Sequence, residues 1–223
     1  MKKILIVVDP QNDFVKPNGA LAVPNAETVI PNINKLLNAK FDFVIISQDW
    51  HPADHISFAR THGAEVFTER DTLQGAGSAA GIKTIRQVMW PNHCVANTSG
   101  AEIHSGIDQS KVNAIFRKGA DKFRECYSLF EYVYEPGTTV FGDEYLTPFY
   151  KIIAEMKPIE IIICGYATDF CCAQTAIGAN KIACATLITD ACAPVDPGNV
   201  EMTYKRLQAI NITLKTTAKY LGE

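Results

Sequence analysis

Short apolar runs rich in β-branched residues, separated by segments with helical periodicity, limit what this chain can fold into more than any other feature. The runs are KILIVV (3–8), FDFVIIS (41–47), VNAIFRKG (112–119), IEIIIC (159–164) and ACATLITD (183–190). Near-continuous apolar strands suit a parallel sheet that is buried on both faces. Between the first two, residues 26–40 place Val29, Ile33, Leu36 and Leu37 on one helical face. Pro31 there sets the first turn or bends it. Further helices are expected over roughly 169–180 and 198–209, then a short strand over 211–216. The alternation predicts an α/β fold: a mostly parallel central sheet of about six strands, helices on both faces, in a Rossmann-like three-layer arrangement. At 223 residues, with no repeat, low-complexity tract or linker, a single domain over 1–223 is expected.

Charge narrows the partners. The formal net charge is −3 and no dense Lys/Arg tract is present, which argues against nucleic acid or an anionic membrane. No apolar run approaches the roughly 18 residues that span a bilayer. The opening MKKILIVVDP reads as a first strand rather than an export signal, because Asp9 interrupts the apolar run at once. A cytoplasmic location is the expectation. The seven cysteines are odd in number and imply no disulfide framework; most should be small buried hydrophobes, Cys164 and Cys184 among them.

Open α/β sheets bind ligands beyond the carboxyl ends of their strands, where the strand order reverses. Reactive residue types gather at those ends here. Asp9 ends the first run, Asp49 and His51 follow the second, Lys118 ends the third, and Gly165–Cys172 follows the fourth.

Each motif also has a bland reading. In GYATDFCC (165–172), Gly165 permits a tight turn and Thr168 or Asp169 can cap the next helix. Cys171 then falls in a first helical turn, where free N–H groups favour a thiolate. Cys171 and Cys172 differ by about 100° around a helix, so only one can face a pocket, and spacing does not say which. Structural cysteines are commoner in such turns. Asp9 is either a turn cap or a general base raised by burial. Lys118 alone reads as a solvated strand end, yet a buried acid and a thiol would both gain from a fixed cation. DWHPADH (49–55) and MWPNHC (89–94) hold three of the five histidines. An Asp and two His with open positions suit a divalent transition ion such as zinc, iron or manganese. A polar loop is the alternative. His62 and His104 lack such company and read as surface residues. GAGSAAG lacks a preceding strand and the right glycine spacing for a dinucleotide site.

Taken together, VVDPQNDF, SQDWHPADHISFA, WPNHC, FRKGAD and GYATDFC resemble the nicotinamidases (pyrazinamidases) of the isochorismatase-like superfamily, over nearly the whole chain. The resemblance implies a catalytic triad of Asp9, Lys118 and Cys171, with Cys171 as nucleophile. It implies metal ligands Asp49, His51 and His93, with His55 matching a histidine that ligates metal in some relatives. Phe14, Trp90 and Tyr127 would line an aromatic pocket, and a cis peptide would join Tyr166 to Ala167. The N–H groups of Ala167 and Cys171 would then meet one oxyanion. The implied cofactor is one divalent metal ion, zinc before iron or manganese. The implied reaction is hydrolysis of nicotinamide, and of pyrazinamide, through a cysteine thioester, with a place in NAD salvage. The implied partner is that small molecule alone, with a homo-oligomer compatible. Tyr166 and Cys172 depart from the usual aliphatic residues, which bears on substrate range. The alternatives are another amidase of the superfamily acting on N-carbamoyl or ureido amides, a vinyl ether hydrolase that has no use for the cysteine, and a non-catalytic metal or thiol sensor.

Overall fold

The computed structural model describes residues 2–75, 81–131 and 146–223. Most of the Gly/Ala-rich stretch GAGSAAG lies outside them. In chain order the elements are β1 (Lys2–Val8), α1 (Asn12–Val15), α2 (Ile30–Asn38), β2 (Phe43–Asp49), β3 (Glu69–Gln74), β4 (Lys83–Val88), β5 (Ala114–Lys118), α3 (Pro148–Met156), β6 (Pro158–Tyr166), α4 (Ala173–Ala179), β7 (Cys184–Ala193), α5 (Val200–Ala209), β8 (Thr213–Lys215) and α6 (Thr217–Leu221).

Six strands form one parallel sheet in the order β5-β2-β1-β6-β7-β8. Ile4 to Val8 on β1 and Ile161 to Cys164 on β6 are wholly buried, so both faces of the sheet centre are covered. On α2, Ile33, Leu36 and Leu37 are buried as their spacing requires. Among the described residues no helix is long and apolar enough to cross a membrane.

The strand order reverses between β1 and β6. From β1 the chain moves outward to β2 and β5; from β6 it moves the other way to β7 and β8. The connections leaving the carboxyl ends of β1 and β6 therefore run to opposite sides and open a crevice there, with Asp9 and the 165–172 turn at its edge. Gly165 lies opposite Val8, with φ +119°, and a Cβ there would meet the Val8 carbonyl oxygen at 2.1 Å. Only glycine allows the two strand ends this approach.

Some elements escape the sequence patterns. The antiparallel hairpin β3–β4 buries Thr72, Gln74 and Gln87. Its buried side is polar apart from Ile85, Gln74 Nε2 donating to Thr72 Oγ1 at 3.0 Å and to Gln87 Oε1 at 3.1 Å, so no apolar alternation announces it. The expected helix over 169–180 is instead a π-helical turn (Thr168–Cys172) followed by α4. Neither Thr168 nor Asp169 caps α4. The Asp169 carboxylate accepts the backbone N–H groups of Val195 and Asp196, both at 2.9 Å, which ties the turn to the loop after β7.

Candidate active site

Asp9 is wholly buried at the end of β1, with φ 45°. Ser47 on β2 holds it: the hydroxyl donates to Asp9 Oδ1 at 2.6 Å and accepts the Asp9 N–H at 3.0 Å. Lys118 Nζ lies 2.9 Å from Asp9 Oδ2, without hydrogen-bond geometry. Its hydrogens go to Asp49 Oδ1 at 2.6 Å and to Cys171 Sγ at 3.4 Å. Oxygen atoms of Asp9 and Asp49 and the Cys171 sulfur lie within 4.8 Å of one another. Lys118 is thus the cation at the centre of this group.

The electrostatics sort the roles. Burial pushes the Asp9 pKa up to about 6, against the pull of Lys118. Burial also disfavours charge on Lys118, but Asp49 and Asp9 override it and hold the ammonium protonated. Burial pushes the Cys171 thiol well above its ordinary value, with Lys118 acting against it. The resting pair near neutral pH is therefore a carboxylate beside a protonated thiol. This differs from the thiolate that a first helical turn would favour: desolvation outweighs the local dipole. Cys171 lines the pocket. Cys172 is wholly buried and does not line the pocket.

The metal-type residues converge beside this group. Asp49 Oδ2 lies 3.5 Å from His51 Nε2 and 3.9 Å from His93 Nε2. His51 Nδ1 donates to the Gly119 carbonyl at 2.9 Å and His93 Nδ1 to the Pro91 carbonyl at 2.8 Å. A carbonyl only accepts, so each Nδ1 carries the hydrogen, and each Nε2 presents a lone pair when its ring is neutral. Burial works against charge on His51, yet Asp49 raises its pKa, so a cation there would displace a proton. A carboxylate and two imidazole lone pairs facing one point are a donor set that suits a divalent cation. Burial works against ionisation of Asp49, yet Lys118 and then His51 hold its pKa far below the usual carboxylate range. Burial, with His51 beside it, pushes His93 down to about 4, so it stays neutral. Glycine after Lys118 makes the arrangement possible: Gly119 has φ +65°, and a Cβ there would meet His51 Cε1 at 2.4 Å. His55 has no nitrogen to spare. Its Nδ1 accepts from Ser57 Oγ at 2.7 Å and its Nε2 donates to the Arg124 carbonyl at 2.9 Å.

A narrow pocket joins the two centres, lined by Phe14, Leu21, Asp49, His51, Trp90, His93, Glu125, Tyr127, Ala167, Phe170, Cys171 and Val195. All three aromatic residues expected from the resemblance are in it. Trp90 packs edge-on to Phe170, ring centroids 4.9 Å apart, and Phe14 lies 5.4 Å from His93. The peptide bond between Tyr166 and Ala167 is cis. The Tyr166 hydroxyl donates to the Ala26 carbonyl at 2.8 Å and its ring is buried, so it lies outside the pocket lining.

Several supporting residues carry no sequence signal of their own. Gln11 clamps the backbone of Asp49, donating to its carbonyl and accepting its N–H, both at 2.7 Å. Asp13 accepts the N–H of Cys94 at 2.7 Å, anchoring the residue after His93. Both lie in PQND, the stretch just after Asp9. Ser47, Glu125, Phe170 and Val195 are found only in three dimensions.

Residues 3–219 match the isochorismatase domain family. The nicotinamidase of Acinetobacter baylyi is 38% identical over 212 residues, covering 93% of this chain and 89% of that protein. Yeast nicotinamidase Pnc1p bound to the inhibitor nicotinaldehyde superposes with a TM-score of 0.85 at 31% identity, covering 96% of this chain and 99% of that one. The pyrazinamidase of Pyrococcus horikoshii in complex with zinc gives a TM-score of 0.71 at 30% identity, covering 97% and 99%. With a sheet whose switch point carries an acid, a lysine and a cysteine, and a family match over nearly its full length, this chain belongs to the isochorismatase domain family.

Proposed function

We propose that the protein hydrolyses nicotinamide to nicotinic acid and ammonia, and accepts pyrazinamide, with Cys171 as nucleophile and Asp9 as general base. The observation that carries this reading is the meeting of Asp9, Lys118 and Cys171 with Asp49, His51 and His93 in one aromatic-lined pocket. Curated relatives named nicotinamidase, and neighbours named for both amides, support the substrate class. An N-carbamoyl or ureido amidase would need the triad but not the ligand set.

A divalent ion held by Asp49, His51 and His93 would supply a Lewis-acid contact for the pyridine nitrogen, directly or through water. Zinc suits the Asp–His–His donors, and a zinc-bound neighbour supports it. Trp90, Phe14 and Phe170 would hold the ring and exclude water. The remaining steps belong to the triad. Asp9 Oδ2, which accepts no hydrogen bond in the resting site, takes the thiol proton as Cys171 Sγ attacks the carboxamide carbon. Lys118 stays protonated and offsets the anionic charge on both. The oxyanion rests on the N–H groups of Ala167 and Cys171; one such donor is worth about 3 kcal/mol. Asp9 returns the proton to the departing ammonia. It then deprotonates the water that opens the thioester and passes that proton to the departing Cys171 sulfur, which restores the resting pair.

The test is ammonia release from nicotinamide by the purified protein, with and without chelator, beside Cys171→Ala and Cys172→Ala. Expected is release that needs metal and Cys171 and survives Cys172→Ala. Full activity in Cys171→Ala would sink the nucleophile assignment. Chelator-resistant hydrolysis of a ureido amide would favour the other amidase class.

A further inference from the structure

We propose that Glu125 is a further residue of the metal centre: its carboxylate, beside His51 in the same pocket as the Asp49–His51–His93 set, anchors metal-bound water there and completes the charge balance of the site. The inference rests on the metal reading above.

Glu125 is buried and lines the same pocket. A carboxylate oxygen lies within 4.8 Å of a ring nitrogen of His51 and of His55. Glu125 does not join the Asp49–His51–His93 set at that distance, so one intervening water, rather than direct ligation, matches its reach. His55 is excluded as a ligand by its two hydrogen bonds. Its bond to the Arg124 carbonyl fixes the residue just before Glu125, and Gln74 Oε1 takes the Glu125 N–H at 2.9 Å. The polar hairpin and His55 thus aim this side chain into the pocket.

The carboxylate is poorly compensated by protein. Oε1 accepts the neighbouring Cys126 N–H at 2.8 Å, and among the described residues Oε2 has only Gln87 Nε2 at 3.4 Å. Among the described residues no Lys or Arg pairs with it. Lys118, the buried ammonium nearby, already serves Asp9 and Asp49. Asp9, Asp49 and Glu125 are thus three buried carboxylates, and the buried ammonium of Lys118 pairs with the first two only, an excess of negative charge that a divalent cation beside His51 would offset. A buried anion without a cation is costly. The placement of Glu125 makes sense when that cation is the ion beside His51.

The test measures metal binding rather than turnover. Apo wild type, Glu125→Gln and Glu125→Asp are titrated with Zn2+ against a chromophoric chelator, and each is unfolded with urea, apo and Zn2+-loaded. Expected is a roughly 10–100-fold weaker Zn2+ affinity for Glu125→Gln, with Glu125→Asp in between. The apo midpoint of Glu125→Gln should match or exceed wild type, because an uncompensated charge is gone, while its Zn2+-induced rise shrinks. Should Glu125→Gln fail to fold, Glu125→Asp decides: a several-fold affinity loss is expected, and wild-type affinity overturns the proposal. Unchanged affinity in Glu125→Gln, or equal destabilisation of apo and loaded forms, also overturns it and leaves Glu125 as an acceptor for Cys126 only. Wild type that binds no Zn2+ overturns the metal reading and this inference together. Wild type that binds Zn2+ and releases no ammonia refutes the proposed substrate alone.

Discussion

Lys118 donates to Asp49 at 2.6 Å, closer than the 2.9 Å at which it approaches Asp9. The lysine of the proposed triad is thus also the counter-ion of the carboxylate in the candidate metal site, and one ammonium lies between both. Substitution Lys118→Met keeps the stem and removes the charge. Ammonia release should fall at least a thousandfold, because Asp9 and the attacking sulfur lose their offset. The apo protein should lose about 3–5 kcal/mol, since two buried carboxylates are left without a cation. Zn2+ should bind more tightly, as the competing positive charge on Asp49 is gone. Chelator competition reads that sign; weaker binding would place Lys118 outside the metal centre's electrostatics.

Ser47 holds Asp9, the proposed base, in place. Its hydroxyl is hydrogen-bonded to Asp9 Oδ1 at 2.6 Å, and that bond lowers the Asp9 pKa. Ser47→Ala removes a bond to the charged form, so the acid limb of kcat/KM should move to higher pH. The rate at pH 7 should drop about tenfold, within the range for general-base positioning. A pH–rate profile of the variant checks this. A lower rate with an unmoved limb would mean that Ser47 acts on packing alone.

Asp9 also sets the pH dependence of wild type. With its pKa raised to about 6, mainly by burial, it must ionise before it can accept the thiol proton. The rate should fall about tenfold per unit below pH 6. Folding responds in the opposite sense. The folded state holds this proton more tightly than the unfolded chain, so the stability it contributes is complete below about 3.8 and lost as pH rises through about 6. At pH 7.5 Asp9→Asn should therefore be inactive yet about 1–3 kcal/mol more stable, as urea unfolding would show. A less stable variant at that pH would contradict the desolvation argument.

What the sequence discloses follows from where its signals are local. The strands of the sheet centre are apolar over their whole buried length, so β1 and β6 can be read directly, and with them the positions of Asp9 and Cys171. The ligand residues lie in short stretches on strand ends, and the structure brings Asp49, His51 and His93 together as the resemblance implies. The supporting residues are different. Ser47 looks like any strand serine, and the hairpin buries glutamines that read as surface. Glu125 lies seven positions beyond Lys118 in a charged stretch, and only the path of the chain past the hairpin turns it inward. The fate of Asp169 was equally hidden, because a cap and a loop tie use the same carboxylate.

Gly119 offers a test of the metal centre that leaves every donor in place. Its positive φ and the His51 ring 2.4 Å from a built Cβ mean that Gly119→Ala must displace the imidazole or the strand end. Displacement would also break the His51 Nδ1 bond to the Gly119 carbonyl, which fixes the tautomer. Zn2+ affinity should fall by roughly 10–100-fold, with a stability cost of about 1–3 kcal/mol from the backbone conformation. Metal content of the purified variant, measured by elemental analysis, checks the first. A fully loaded variant would show that the His51 loop tolerates the shift.

Tyr127 carries the last prediction, on substrate handling. Its oxygen accepts from Trp90 Nε1 at 2.8 Å and from Gln87 Nε2 at 3.0 Å, so its own hydrogen is free to point elsewhere. Burial pushes its pKa well above the ordinary value, so it stays a donor at every working pH. Tyr127→Phe leaves the buried Trp90 N–H without its acceptor, at about 1–3 kcal/mol for the group left unpaired, while Gln87 Nε2 keeps the Val88 carbonyl at 2.9 Å. Trp90 and the ring stack it forms with Phe170 then lose their anchor. Because Tyr127 touches neither Asp9 nor the thiol proton, the loss should fall on substrate positioning: KM should rise about tenfold while kcat changes less than threefold. Steady-state ammonia release separates the two constants. A collapse of kcat at unchanged KM would instead assign the Tyr127 hydroxyl to the reacting atoms.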